Sequence, residues 1–87
     1  RLLDVGCGTG HFLSFMKKRG YEIFGTDISP ISISMAQKIL NVSRNNLRLG
    51  EIQDCRFPKK LFDIIDNFFR LFYLALPNNK NFPTKFF

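Results

Sequence analysis

Two carboxylates and three glycines stand where chemistry could be done. Asp4 is followed by Gly6, Gly8 and Gly10, spaced two apart, and Asp27 comes seventeen residues after Gly10. Glycine opens backbone angles closed to other residues, and it lets a ligand approach the main chain without meeting a Cβ. A helix that starts beyond such a turn aims unpaired N–H groups at it, so an anionic group is favoured there. A carboxylate at the tip of the next strand is placed to accept hydrogen bonds from ribose hydroxyls. The pattern is the first half of a nucleotide-binding βαβ unit. Cys7 lies inside the glycine turn, where a small residue is wanted; with no base placed beside it by sequence, it reads as packing and not as a nucleophile. His11, the one histidine, reads as a rim or packing residue in preference to a general base.

The elements that must position these groups follow from apolar periodicity. Leu2, Leu3 and Val5 form a short buried-strand run that stops at the glycines. Phe12, Leu13, Phe15 and Met16 then recur at helical spacing, predicting a helix over residues 11–19 closed by Gly20. Residues 21–26 alternate as a second strand ending at Asp27. Ser29 and Pro30 suit a helix start, and the helix over residues 30–40 is expected to turn Ile31, Met35 and Ile39 to the sheet, with Ala36 and Leu40 joining them. Ile33 lies off that stripe. A polar loop, a third strand at residues 47–49 and a fourth at residues 61–65 follow. Phe68, Leu71, Phe72 and Ala75 suggest a helix over residues 67–76, stopped by Pro77.

The glycine spacing separates two families. The dinucleotide fingerprint Gly-x-Gly-x-x-Gly would need its third glycine at position 11, where His11 stands, which disfavours a nicotinamide oxidoreductase. Asp4-Val5-Gly6-Cys7-Gly8-Thr9-Gly10 instead resembles motif I of the class I S-adenosylmethionine-dependent methyltransferases. Gly25-Thr26-Asp27-Ile28-Ser29-Pro30 resembles their motif II, and residues 50–58 their third motif, although Cys55-Arg56 stands where members often have Leu-Pro. The resemblance covers residues 2–65. It implies an α/β, Rossmann-like doubly wound parallel sheet in the order 3-2-1-4, truncated after the fourth strand, with both helices on one face and the ligand at the carboxyl ends. S-adenosyl-L-methionine is the implied cofactor, with no metal. Gly6, Cys7, Gly8 and Gly10 would wrap its methionine part, and Asp4 would support the amino group or the turn. Asp27 would take the ribose, Ile28 the adenine face, and Asp54 and Cys55 the adenine edge. Beyond residue 65 the resemblance fails: Asp66-Asn67-Phe68-Phe69 lacks the prolines of the Asp-Pro-Pro-Phe signature of amino-group methyltransferases. No catalytic residue is assigned.

Composition bounds the rest. Eighty-seven residues make one small domain at most, where a complete fold of this kind would need roughly 200. The expectation is therefore the cofactor half of a methyltransferase over residues 1–76, with an irregular tail at 77–87 and strand 4 left as a sheet edge. The alternative is a nucleotide-binding fragment or partner module without catalysis. The net charge of +6 is spread over small groups, Lys17-Lys18-Arg19 at the end of the first helix among them, and reads as a solvated face. A small-molecule methyl acceptor is expected, with RNA as the other possibility. No apolar run is long enough to cross a bilayer. Two cysteines give no disulfide framework, in keeping with reduced thiols in a cytoplasmic protein.

Overall fold

The computed structural model describes residues 1–58, 61–67 and 72–74. Strand β1 (Leu2–Val5) lies at the centre of the sheet, and helix α1 (His11–Lys18) follows it. Strand β2 (Ile23–Asp27), helix α2 (Pro30–Leu40) and strand β3 (Leu47–Leu49) come next. Strands β4 (Ile64–Asn67) and β5 (Phe72–Leu74) complete the order β3-β2-β1-β4-β5. The first four strands are parallel, so the order 3-2-1-4 expected from sequence is the one observed.

Alternation along the strands sorts side chains into two cores. Leu2, Ile23 and Leu47 meet Leu13 of α1 and Ala36 and Leu40 of α2 on one face, which places both helices on the same side. Leu3, Phe24 and Ile65 point the other way, onto Ile52, Cys55, Phe57 and Phe62. Loop residues close that second face. Phe24, Phe57 and Phe62 form three edge-to-face contacts with centroids 5.1–5.9 Å apart, the favoured geometry for aromatic quadrupoles.

Each helix end has an identifiable cause. Gly20, at φ +93°, closes α1 in a Schellman pattern: its N–H donates to the Lys17 carbonyl, and the Tyr21 N–H reaches back to Met16. Ser29 caps α2 by accepting the Ser32 N–H at 3.2 Å, and Pro30 occupies the first turn. Asn41, at φ +50°, ends α2. The Lys17 ammonium donates to the Leu40 carbonyl at 2.6 Å and ties the two helices together.

Four expectations need correction. On α2 the buried residues are Ala36 and Leu40, with Ile33 packed beside them; Ile31, Met35 and Ile39 are 74%, 46% and 48% exposed. The helix is rotated because it packs against the start of α1, where a Cβ on Gly10 would lie 3.3 Å from Ala36 Cβ and 3.0 Å from Leu40 Cδ1. Only a small side chain fits that contact, so Ala36 faces inward. Strand β4 begins at Ile64, not Leu61, because Phe62 is drawn into the aromatic cluster and the Asp63 N–H donates to the Arg1 carbonyl. The helix expected over residues 67–76 gives way to the end of β4 at Asn67 and to β5 at Phe72–Leu74, antiparallel to β4, and residues 68–71 and 75–76 lie outside the described residues. Strand β4 is accordingly no edge. The tail at 77–87 lies outside the described residues as well.

Candidate functional site

The three glycines form a loop folded over the tip of β2. The N–H groups of Gly6 and Cys7 both donate to the Thr26 carbonyl at 2.8 Å, and Gly10 N–H returns to the Cys7 carbonyl at 3.1 Å. All three glycines have positive φ: 78° at Gly6, 58° at Gly8 and 92° at Gly10. Their roles divide by what surrounds them. A Cβ on Gly10 would strike Leu40, so that glycine serves helix packing. A Cβ on Gly8 would meet nothing within 4 Å, so its outer side is open to a ligand. Gly10 is also the N-cap of α1, and with no side chain it makes no side-chain cap hydrogen bond of its own.

Asp27 holds this loop in place. Its Oδ2 accepts the Gly8 N–H at 2.9 Å, and its Oδ1 accepts the Ser29 N–H at 2.9 Å. One carboxylate thus joins the glycine loop to the start of α2. A carboxylate offers about four acceptor positions, and these two bonds use half of them.

Beside Asp27 opens a cavity of about 420 Å³ at the carboxyl ends of β1, β2 and β3. Its lining comes from three segments: Val5 and Gly6, then Thr26, Asp27 and Ile28, then residues 50–53. This is the crevice position expected of a doubly wound sheet. Ile28, at 72% exposure, is the large apolar group on its rim.

The structure places Gly6, Gly8 and Gly10 in one loop with Asp27 and Ile28 beside it, and buries the side chains of Asp4 and Cys7. Asp4 is fully buried within the sheet, in register with the equally buried Asp66 of β4. Cys7 is buried against Leu13 and Gly25; burial, with Asp4 and Asp27 adding, pushes its thiol up to about 12. An inert packing thiol is what that environment makes of it. Burial likewise raises the Cys55 thiol, against the lowering influence of Arg48. Neither Asp54 nor Cys55 lines the cavity: Asp54 is exposed and Cys55 buried beneath the loop. The polar side chains that do line it from this loop are Glu51 and Gln53, with the Gln53 amide donating to the Glu51 carboxylate. Sequence reasoning passed over both, although Glu51 directly follows the glycine that ends β3. His11 is exposed on the first turn of α1.

A family model described as a methyltransferase domain matches residues 2–86. The chain belongs to the methyltransferase domain family. Among curated proteins it is 31% identical, over 74% of its length, to a malonyl-[acyl-carrier protein] O-methyltransferase of Serratia marcescens, covering 24% of that protein. It is 32% identical over 97% of its length to an uncharacterized protein of Haemophilus influenzae, covering 34% of it. Among solved structures, a TehB-like SAM-dependent methyltransferase of Corynebacterium glutamicum superposes with TM-score 0.64 at 30% identity, over 76% of this chain and 35% of that one. The plantazolicin methyltransferase BpumL, solved in complex with a triazolic desmethylPZN analog and SAH, gives TM-score 0.62 at 32% identity, over 74% of this chain and 25% of that one. The chain thus spans about a third or less of the relatives it matches.

Proposed function

We propose that this chain is the cofactor-binding part of an S-adenosylmethionine-dependent methyltransferase. The observation that carries the reading is Asp27, a carboxylate on the rim of the crevice that anchors the glycine loop and keeps acceptor positions to spare. The residues present fit the cofactor: an open cradle at Gly8, a helix start whose N-cap, Gly10, carries no side chain, and a cavity walled by Ile28 and residues 50–53. In this reading the N-terminus of α1 receives the methionine carboxylate, Asp27 the ribose hydroxyls, and Ile28 a face of the adenine. Glu51, with Gln53 orienting it, takes the adenine-edge place for which the sequence had suggested Asp54 and Cys55. When bound, S-adenosylmethionine supplies a methyl group activated by its sulfonium. The chain's own work is to bind, align and exclude water.

The acceptor is proposed to be a small molecule. Lys17 and Lys18 lie at the far end of α1, a helix length of about 12 Å from the crevice, so these basic groups are not gathered where a bound RNA would have to reach. Isothermal titration of the full-length protein with S-adenosylhomocysteine and with NAD+ tests the reading. Binding of the first without the second is expected; binding of NAD+ alone would refute it.

A further inference from the structure

The side chain of Arg48 bridges the two ends of the loop that walls the crevice beyond β3. Its Nε donates to the Asn45 carbonyl at 2.9 Å, before the strand. Its Nη1 donates to the Cys55 carbonyl at 2.5 Å, beyond the wall. Its guanidinium also lies 4.0 Å from the centroid of the Phe57 ring. Phe57 in turn packs edge-on against Phe24 and Phe62 in the second core. Residues 50–53, which line the cavity, sit between the strand and the carbonyl that Arg48 grips. Within the stretch, Cys55 is buried, and Arg56 sits in the left-handed region at φ +57°, a conformation that a non-glycine residue keeps only when neighbouring contacts enforce it.

The geometry points to Arg48 as a positioning residue: by clamping residues 50–57 onto β3 it fixes Glu51 and Gln53 at the crevice and so sets selectivity for the adenine ring. The adenine half of this statement rests on the proposed cofactor; the clamp itself does not. Lysine cannot replace the fork, because a single ammonium on a flexible stem does not present two diverging donors and a flat face together. Unlike Asp27, Arg48 is not on the wall of the cavity; it acts through the loop.

Two variants test this in the full-length protein. Arg48→Lys keeps the charge, and Arg48→Met keeps the apolar stem against Phe57. The first readout is the alkylation rate of Cys55 relative to Cys7, a buried thiol in the other core that serves as an internal control. Loss of a charge-assisted hydrogen bond should raise the Cys55 to Cys7 ratio by roughly ten- to a hundredfold in both variants. In Arg48→Met a purely electrostatic change would act in the opposite sense, since Arg48 lowers the Cys55 thiol and its loss would slow the reaction. Equal acceleration of the two thiols would mean general destabilisation and would overturn the clamp. The second readout is the preference for S-adenosylhomocysteine over S-inosylhomocysteine, in which the adenine amino group is replaced by a carbonyl. That preference should collapse toward unity in both variants; selective opening at Cys55 with the preference intact would overturn the link to adenine. Failure of the wild-type protein to bind S-adenosylhomocysteine would refute the proposed function and the adenine link with it, while the thiol ratio would still decide the clamp.

Discussion

Replacing Asp27 by asparagine separates the two tasks assigned to one carboxylate. In the protein, Oδ1 and Oδ2 each accept a backbone N–H at 2.9 Å, from Ser29 and Gly8 respectively. Asparagine keeps one carbonyl oxygen and sets an NH2 group against the other donor, so one charge-assisted bond is lost outright. Such a bond contributes about 1.5–3 kcal/mol, and Asp27 is partly buried, so little of that is recovered from solvent. For a domain of this size the midpoint of thermal unfolding should fall by on the order of 10 °C. The same substitution removes the anionic acceptor proposed for the ribose hydroxyls, worth about 1.5–3 kcal/mol, or roughly ten- to a hundredfold in the Kd for S-adenosylhomocysteine. Calorimetric titration well below the melting midpoint isolates the second effect, because there the folded fraction is near unity in both proteins. An unchanged Kd in the folded variant would remove Asp27 from the ligand site, and an unchanged melting point would show that the glycine loop does not depend on it.

The other predictions concern packing and the thiols. Gly25→Ala would bring a Cβ to 2.8 Å from Leu13 Cδ1 and 2.9 Å from Cys7 Sγ inside a filled core, so a loss of about 1–3 kcal/mol is expected by denaturant unfolding; wild-type stability would show that Leu13 has room to move. Gly8→Ala and Gly10→Ala share the strain of positive φ, about 1–2 kcal/mol, but Gly10→Ala adds the contact with Leu40 and should be the less stable of the two, while Gly8→Ala should lose more affinity for S-adenosylhomocysteine. Equal stability of the pair would contradict that division. Because burial raises the Cys7 thiol to about 12 from 9.0, the stability it confers is complete below about pH 9 and is lost as pH rises toward 12. Cys7→Ala should flatten the alkaline limb of the stability curve; an unchanged limb would assign it to other groups. Saturating S-adenosylhomocysteine should slow alkylation of Cys55, the thiol under the crevice wall, and identical rates with and without a ligand shown to bind would break that placement.

Local chemistry made the fold from β1 to the start of α2 legible before any coordinates. Three glycines two residues apart make a turn of positive-φ residues, a serine with proline behind it caps a helix, and the acid at the strand tip lies beside that turn, bonded to the Gly8 and Ser29 N–H groups. The failures lie where sequence offers two equal solutions. Helix α2 carries apolar residues on two faces, and hydropathy favours the larger set of Ile31, Met35 and Ile39. Close approach of the Gly10 turn reverses that preference by demanding Ala36. Residues 71–75 satisfy a helical and an alternating pattern together, and pairing with the open side of β4 decides for strand at Phe72–Leu74. In the polar loop after β3 three side chains could have met a ligand edge. The single turn of 3-10 helix at Ile52–Asp54 directs Asp54 outward and leaves Glu51 and Gln53 on the cavity. Arg48 gave no signal, since its hydrogen-bond partners are the backbone carbonyls of Asn45 and Cys55, which side-chain types do not mark.

The central position of β1 bears on the order in which the chain assembles. Leu2 finds its partner Ile23 roughly 20 residues on, but its other neighbour, Ile64, lies roughly 60 residues away. Loop closure grows with the logarithm of length, so the second pairing carries an extra entropic cost of about 1 kcal/mol. The unit from β1 to β3 should therefore condense first and β4 dock last, giving φ-values that are high at Leu2, Leu13 and Ile23 and low at Ile65. Five of the nine residues that line the crevice, Val5, Gly6, Thr26, Asp27 and Ile28, fall within the early unit, and residues 50–53 directly follow it. A ligand for that crevice could thus engage the chain while one flank of β1 is still unpaired, and refolding in its presence should populate fewer aggregated species.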